Sequence, residues 1–466
     1  MDFSTTIFWL TIIPAMALIC LLRVFIKKPA TRQQFNKYSL AILSLLLLFL
    51  TTLQTLLIFL YVTLLTYAGI LIGLKSKGIG RKCVLSLLIV LQLLPLLYYK
   101  YANFIVNGVL LQQWDTFRDL IIPIGISFYT FQAIAFSLDT LRDEHQVPTF
   151  IDYLNFCSFF PQIVAGPIER KHSLLPQMEN LRLSLNSQNI AIGLPFIVLG
   201  LFYKMVMADN LAYGMISGYT GVNAFQIWMN NICFGFRIYY DFAGYGLTAY
   251  GIAKCLGVEI TMNFLSPYTC CNISDFWRNW HRSLTLWFRD YIYFAMGGSR
   301  TKLWWFNIIV MFLVSGIWHG AGWNFIIWGT LGGITMVIHR IFHNRGYSLP
   351  KFAGWLLTFT VMMFIWMFFY ETNTNIVYKN LVSVFTPINY NIQDFVNILQ
   401  NNKTTGATAL VFIPISFSII LLEFISIRWH KAPYQIFTSP PACMIMVILI
   451  FMLYSHTPSE FIYFAF

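Results

Sequence analysis

The sequence predicts an all-α fold: a polytopic membrane protein of roughly 11–13 transmembrane helices with additional re-entrant and interfacial segments. Three observations carry that expectation. Of 466 residues, 58% are hydrophobic and only 10% charged, with a mean hydropathy of +0.66, far from the usage of a soluble globular domain. Apolar runs of the length needed to span a hydrocarbon core, about 20 residues, recur along the whole chain. The basic residues, which give a net charge of +12, sit in short clusters beside those runs, where they act as orientation signals. They do not form the soluble basic domain that nucleic-acid binding uses.

In chain order, helices are expected near 5–26, 39–56, 57–74, 83–99, 120–138, 188–207, 225–240, 242–257, 303–318, 322–341, 353–370, 409–427 and 440–456. The first run reads as a retained span, since Met1 to Ile7 carries no basic stretch and no small-residue cleavage site follows. Lys27, Lys28, Arg32 and Lys37 precede an uncharged run from Ser39 to Leu74, and Lys75, Lys77, Arg81 and Lys82 follow it. With both clusters cytoplasmic, the run must cross an even number of times, so it is two short helices with a turn near Thr55 and the N-terminus starts outside.

Segment 142–187 then returns to the cytoplasmic side with Arg142, Asp143, Glu144, Glu169, Arg170, Lys171 and Arg182. Its apolar insert FCSFFPQIVAGPIER is too short and too rich in Pro and Gly to cross. It reads as a re-entrant or interfacial element, tolerated where its backbone is buried in protein or lines a cavity. The polar stretch 371–406 is the longest extramembrane loop expected, and residues 1–466 form a single transmembrane domain without repeats. The 44 Phe, 25 Tyr and 14 Trp suit headgroup belts and helix interfaces. Eight cysteines without a CxxC spacing read as packing thiols, with neither a zinc site nor a disulfide framework.

Two segments carry chemistry. The first is NISDFWRNWHRSLTLWFRDYIYFAMGG, residues 272–298. Ser274 and Asp275 predict a helix start there. At about 100° per residue, Trp277, Trp280, Leu284, Trp287, Phe288 and Tyr291 share one stripe, and Arg278, Arg282 and Arg289 gather on another, with His281 between. Such a helix lies on an anionic leaflet with its arginines on lipid phosphates. Alternatively, the arginines meet the phosphates of a thioester donor or an acidic carrier protein.

The second is VSGIWHGAGWNFIIWGTLGG, residues 314–333. His319 stands in one of the least polar parts of the chain, where an ionisable side chain marks a functional candidate unless it is simply a satisfied neutral imidazole. Gly316, Gly320 and Gly322 either let helices approach closely or let a thin substrate pass. Acyl transfer from a thioester to an alcohol needs a base near neutral pKa, a polar group for the developing oxyanion and exclusion of water. A buried imidazole supplies the base, and Asn324 is a candidate oxyanion donor. Nucleophile-elbow, Walker A and H-E-x-x-H patterns do not occur. The isolated Asp209, Asp241 and Glu423 read as packing contacts.

Together, DFWRNWHRSLTLWFRDYIYFAMGG, SGIWHGAGWNFIIWG, FFPQIVAGPIER, IYYDFAGYG and the C-terminal FIYFAF resemble the membrane-bound O-acyltransferase family, and within it the alginate and peptidoglycan O-acetyltransferase branch. The teichoic-acid D-alanylation membrane protein is a more distant likeness. The resemblance implies a ring of helices around a central funnel or tunnel, with His319 as the essential histidine and His281 as the second characteristic one. His319 then serves as general base or transient acyl-imidazole while His281 orients the reactants, with Trp277, Trp280, Arg278, Arg282 and Asn324 on the donor side. No metal and no bound cofactor are implied. The donor substrate is acetyl-CoA or an acyl carrier protein, and the acetyl passes outward across a bacterial cytoplasmic membrane. Its destination is a polysaccharide acceptor, reached through an exported or membrane-anchored SGNH-hydrolase-like acetyltransferase. Two positions depart from the pattern: Arg237, which stands where glutamine is more usual and is spaced to pair with Asp241 at i,i+4, and MFFYE at 367–371. Acyl transfer of D-alanine to teichoic acid is the nearest alternative. A transporter or flippase without covalent chemistry, with a path near Pro123, Gly125 and Pro167, and a scaffold for an exported transferase are the rival classes.

Overall fold

Thr52 decides how the long uncharged run crosses twice. Its backbone is extended (φ −158°, ψ 148°), and its hydroxyl accepts the Thr55 N–H at 3.0 Å. One helix ends and the next is capped within a single residue. The break falls three residues before the position the sequence suggests, because the capping hydroxyl and not the middle of the run sets it.

The computed structural model describes residues 3–112, 114–118, 120–143, 147–183, 185–216, 223–455 and 459–462. The described residues are helical with connecting turns and contain no strand. Among the described residues, eight helical segments are long and apolar enough to cross a membrane, and two shorter apolar helices accompany them. The chain divides into two units, Met1–Ile197 with Thr248–Thr261, and Val198–Leu247 with Met262–Phe466.

The first unit holds α1 (Thr6–Val24), α2 (Pro29–Thr51), α3 (Leu53–Lys75), α4 (Gly78–Leu96), α5 (Ile126–Asp143), α6 (Phe150–Ser158), α7 (Lys171–Glu179) and most of α8 (Ser187–Leu201). Gln92 on α4 ties this bundle together, donating to Thr66 on α3 at 2.7 Å and Ser137 on α5 at 2.9 Å. Lys37 of the first basic cluster is buried and paired with Asp152 at 2.5 Å. That pair anchors α6 on α2. From α6 the chain enters the Pro- and Gly-containing insert, whose residues 159–169 are all buried, as a re-entrant element requires. Gly125, at φ +76°, makes room for it, since a Cβ there would stand 2.5 Å from the Ile163 carbonyl oxygen.

In the second unit, α9 (Asp209–Tyr213) follows α8 through a π-helical stretch. Helix α10 (Ala224–Cys255) is continuous over 32 residues where the sequence suggests two helices, 225–240 and 242–257. Its last turns belong to the first unit. Asp241, at the expected boundary, and Arg237 one turn before it are accommodated within the helix. Asp241 does not pair with Arg237; it binds Lys204 at 2.9 Å and accepts the Ile462 N–H at 2.7 Å. Lys204 also holds Asp209 at 2.9 Å and the Ser459 carbonyl at 2.8 Å. The acids thus fasten the chain end to the bundle. Of FIYFAF, only Phe461 and Ile462 are described; 463–466 lie outside the described residues, as does Glu144.

Next come α11 (Ile273–Asn279), α12 (Arg282–Phe288), α13 (Trp304–His319), α14 (Trp323–Asn344), α15 (Lys351–Tyr370), α16 (Thr374–Val384), α17 (Ile392–Asn401), α18 (Lys403–His430) and α19 (Pro440–Leu453). Stretch 371–406 is therefore not a plain loop, since α16 and α17 lie within it. Helices α13 and α14 form the tightest pair, drawn together by glycines. A Cβ on Gly316 would stand 2.3 Å from the Phe325 carbonyl oxygen, and one on Gly329 would stand 2.5 Å from that of Phe312.

Candidate active site

His281 breaks the amphipathic helix that the sequence suggests. Asn272, not Ser274, caps α11, its side chain accepting the Asp275 N–H at 2.8 Å. The chain then turns at His281, which adopts the left-handed conformation (φ 42°, ψ 55°). That conformation is costly for a residue with a Cβ and recurs where a site demands a particular side-chain direction. Asn263 holds the turn, its carbonyl accepting the Arg282 N–H at 2.9 Å and its side chain the Ser283 N–H at 3.1 Å. With the cap supplied from outside, the imidazole is left to face inward.

His319 ends α13, and the chain leaves through Gly320 in an extended conformation (φ −165°). A Cβ on Gly320 would stand 2.0 Å from the Phe325 ring, and one on Gly322 2.4 Å from Asn324 Oδ1. The glycines of this motif therefore serve close packing. Trp318 packs edge-on against both imidazoles, its ring centroid 6.2 Å from His281 and 4.9 Å from His319. Trp328 and Phe369 complete an edge-on collar around His319 at 5.1 and 5.2 Å.

Both histidines are buried and both line the same two cavities. The larger, about 30 Å³, is walled by Trp277, Trp280, Leu284, Thr285 and Phe288 from α11–α12, by Met311, Phe312 and Ser315 from α13 and by Trp328 from α14. The smaller, about 10 Å³, adds Ile238 and Phe242 of α10 and Trp366 and Phe369 of α15. Trp280, His281, His319 and Trp328 belong to both and so form the waist between them. By volume the two spaces hold about two water molecules and one. Burial pulls the His281 imidazole down to about 4, because a charged ring loses its hydration there. It is neutral at cellular pH, able both to donate and to accept a hydrogen bond.

The sequence-suggested residues do not all meet at this waist. Trp280, His281 and His319 do, and Trp277 lines the larger cavity alone. Asn324 is buried, but its amide lies toward the Phe369 carbonyl at 3.5 Å and it is absent from the walls of both cavities. Arg278 is exposed and 3.4 Å from Asp275; Arg282 lies half-buried beyond the cavity walls, and Arg289 pairs with Asp290 at 2.8 Å. Sequence reasoning passed over Ser315, Met311 and Phe312, although helical spacing back from His319 aligns all three on one face. It also passed over Trp366 and Phe369, whose i,i+3 spacing is the same signal one helix further on.

The sequence pattern of the membrane-bound O-acyltransferase family matches residues 3–379, a stretch that includes both histidines. The chain belongs to that family. A peptidoglycan O-acetyltransferase of Helicobacter pylori is 32% identical over 427 residues, covering 79% of this chain and 80% of the relative. A probable alginate O-acetylase AlgI of Azotobacter vinelandii is 30% identical over 357 residues, 73% of this chain and 69% of the relative. A teichoic acid D-alanyltransferase of Bacillus subtilis is 27% identical over 293 residues, 59% and 73% of the two chains. As a family member with spanning helices, the protein is a multi-pass membrane O-acyltransferase.

Proposed function

We propose that the enzyme takes acetyl from a cytoplasmic thioester, coenzyme A or an acyl carrier protein, and passes it across a bacterial cytoplasmic membrane for modification of an exported or cell-surface polysaccharide. His319 is the general base. The acceptor oxygen bonds to the acyl carbon while its proton passes to the imidazole; the carbon–sulfur bond then breaks, and the thiolate leaves with that proton. His281, neutral and one cavity wall away, orients the thioester or the incoming hydroxyl. Arg278 and Arg282 meet the donor's phosphates before the thioester enters.

One observation supports this reading above the others: two buried imidazoles share the waist between two small cavities. Apolar walls exclude bulk water, which competes with the acceptor and weakens every electrostatic contact. The likeness to peptidoglycan and alginate acetylases supports the polysaccharide acceptor, and with it an exported or membrane-anchored SGNH-hydrolase-like partner that completes the transfer. Purified protein in liposomes, given acetyl-labelled thioester, should release thiol and pass label to an acceptor. Unchanged thioester refutes acetyl transfer.

D-alanyl transfer to teichoic acid is the second reading, favoured by the likeness to the teichoic acid D-alanyltransferases. The same assay with a D-alanyl thioester separates the two.

A further inference from the structure

An indole nitrogen donates a hydrogen bond and cannot accept one. Two indoles in the wall of the larger cavity, those of Trp277 and Trp328, are buried with their Nε1–H groups unpaired among the described residues. Elsewhere in the same unit the buried Trp366 indole donates to the Tyr268 hydroxyl at 3.0 Å, and the half-buried Trp355 indole to the Tyr268 carbonyl at 2.8 Å. Thr285, also in the cavity wall, spends its hydroxyl on the Trp280 carbonyl at 3.1 Å. The wall contains no carboxylate. A buried donor without a partner is rare enough to need a cause, and two such donors stand in the wall of this one largely apolar cavity.

We propose that this cavity is the acyl subsite, and that the Trp277 and Trp328 indoles receive the carbonyl oxygen of the acyl thioester, stabilising its negative charge as the acceptor oxygen adds. The inference rests on His319 as the base. Electrons move from the carbonyl bond to its oxygen as the new carbon–oxygen bond forms, and return as the carbon–sulfur bond breaks. The indoles hold the oxygen throughout and exchange no proton. The cavity's volume of about 30 Å³ suits a group of two or three heavy atoms beyond the reacting bond, which selects a two-carbon acyl chain. A longer chain meets Leu284, Met311 and Phe312.

Trp277→Phe and Trp328→Phe delete the N–H and keep the ring. With the whole protein in liposomes and S-acetyl-pantetheine as donor, thiol release gives kcat and KM. Each variant should lose at least about 10-fold in kcat, the lower side of what one oxyanion donor supplies, with KM within about twofold and a melting temperature equal to or above the unaltered protein's. S-butanoyl-pantetheine should react at least about 10-fold more slowly than the acetyl donor, and Met311→Ala should narrow that gap. Unchanged kcat in both Phe variants overturns the proposal, as do equal acetyl and butanoyl rates in the unaltered protein. His319→Ala separates this from the base assignment. If it is inactive while the Phe variants are fully active, the base stands and the acyl subsite falls; if it is active while they are impaired, the base falls and the acyl subsite stands.

Discussion

Gly316 and Gly329 meet face to face between α13 and α14: a Cβ on Gly316 would stand 3.1 Å from the Gly329 Cα as well as 2.3 Å from the Phe325 carbonyl oxygen. Backbone on both sides leaves no flexible side chain to yield. Because His319 lies one turn beyond Gly316, this contact sets where the imidazole stands.

Gly316→Ala should therefore force the two helices apart. Overpacking of this kind costs about 1–3 kcal/mol, and a 1 Å displacement of a catalytic group lowers rate by about 100-fold. Thermal unfolding in detergent and acyl-transfer rate should fall together. A fully stable, fully active variant contradicts the packing argument.

Asp241 should behave as a fastening residue. Removing its charge leaves the buried Lys204 ammonium with one carboxylate, that of Asp209, and breaking a buried ion cluster costs about 3–5 kcal/mol. Asp241→Asn should reduce the folded yield strongly. Normal yield and melting temperature would show the cluster to be dispensable.

His281 predicts a pH dependence. Its imidazole is held at about 4 in the fold against 6.5 in the unfolded chain, so the fold favours the neutral ring. The resulting stability is complete above about pH 6.5 and is lost as pH falls through that window toward 4, amounting to about 3 kcal/mol at 1.36 kcal/mol per unit. Asn tolerates the left-handed backbone, which makes His281→Asn the reference. The stability difference between the two proteins should shift steadily in favour of the Asn variant from pH 6.5 to 4; a flat difference contradicts the assignment.

Arg278 and Arg282 are predicted to act on the donor. Replacing both with Gln should raise the donor concentration for half-maximal rate several-fold, more so at low salt because exposed charges are screened. An unchanged dependence returns them to lipid anchoring.

Much of the architecture was legible because apolar length is a strong signal in a membrane chain. The hairpin of α2 and α3 followed from two flanking basic clusters, and the buried insert followed from Pro and Gly in an apolar run. The break at His281 was not legible, since WRNWHRSL reads smoothly as one amphipathic helix. The turn depends on Asn263, a partner distant in sequence. The fusion of two expected helices into α10 was hidden for a related reason: Lys204 and the chain end neutralise Asp241 from outside the segment. The two histidines stood out by chemistry, whereas Met311, Ser315 and Trp366 look like ordinary span residues until the helices are assembled around them.

The central claim is tested most directly by His319→Ala in liposomes supplied with acetyl-labelled thioester, with melting temperature confirming the fold. The account predicts normal insertion and a melting temperature close to the unaltered protein's, with thiol release and label transfer reduced at least about 100-fold, the lower range for losing a general base. A folded variant that transfers label at the original rate contradicts it.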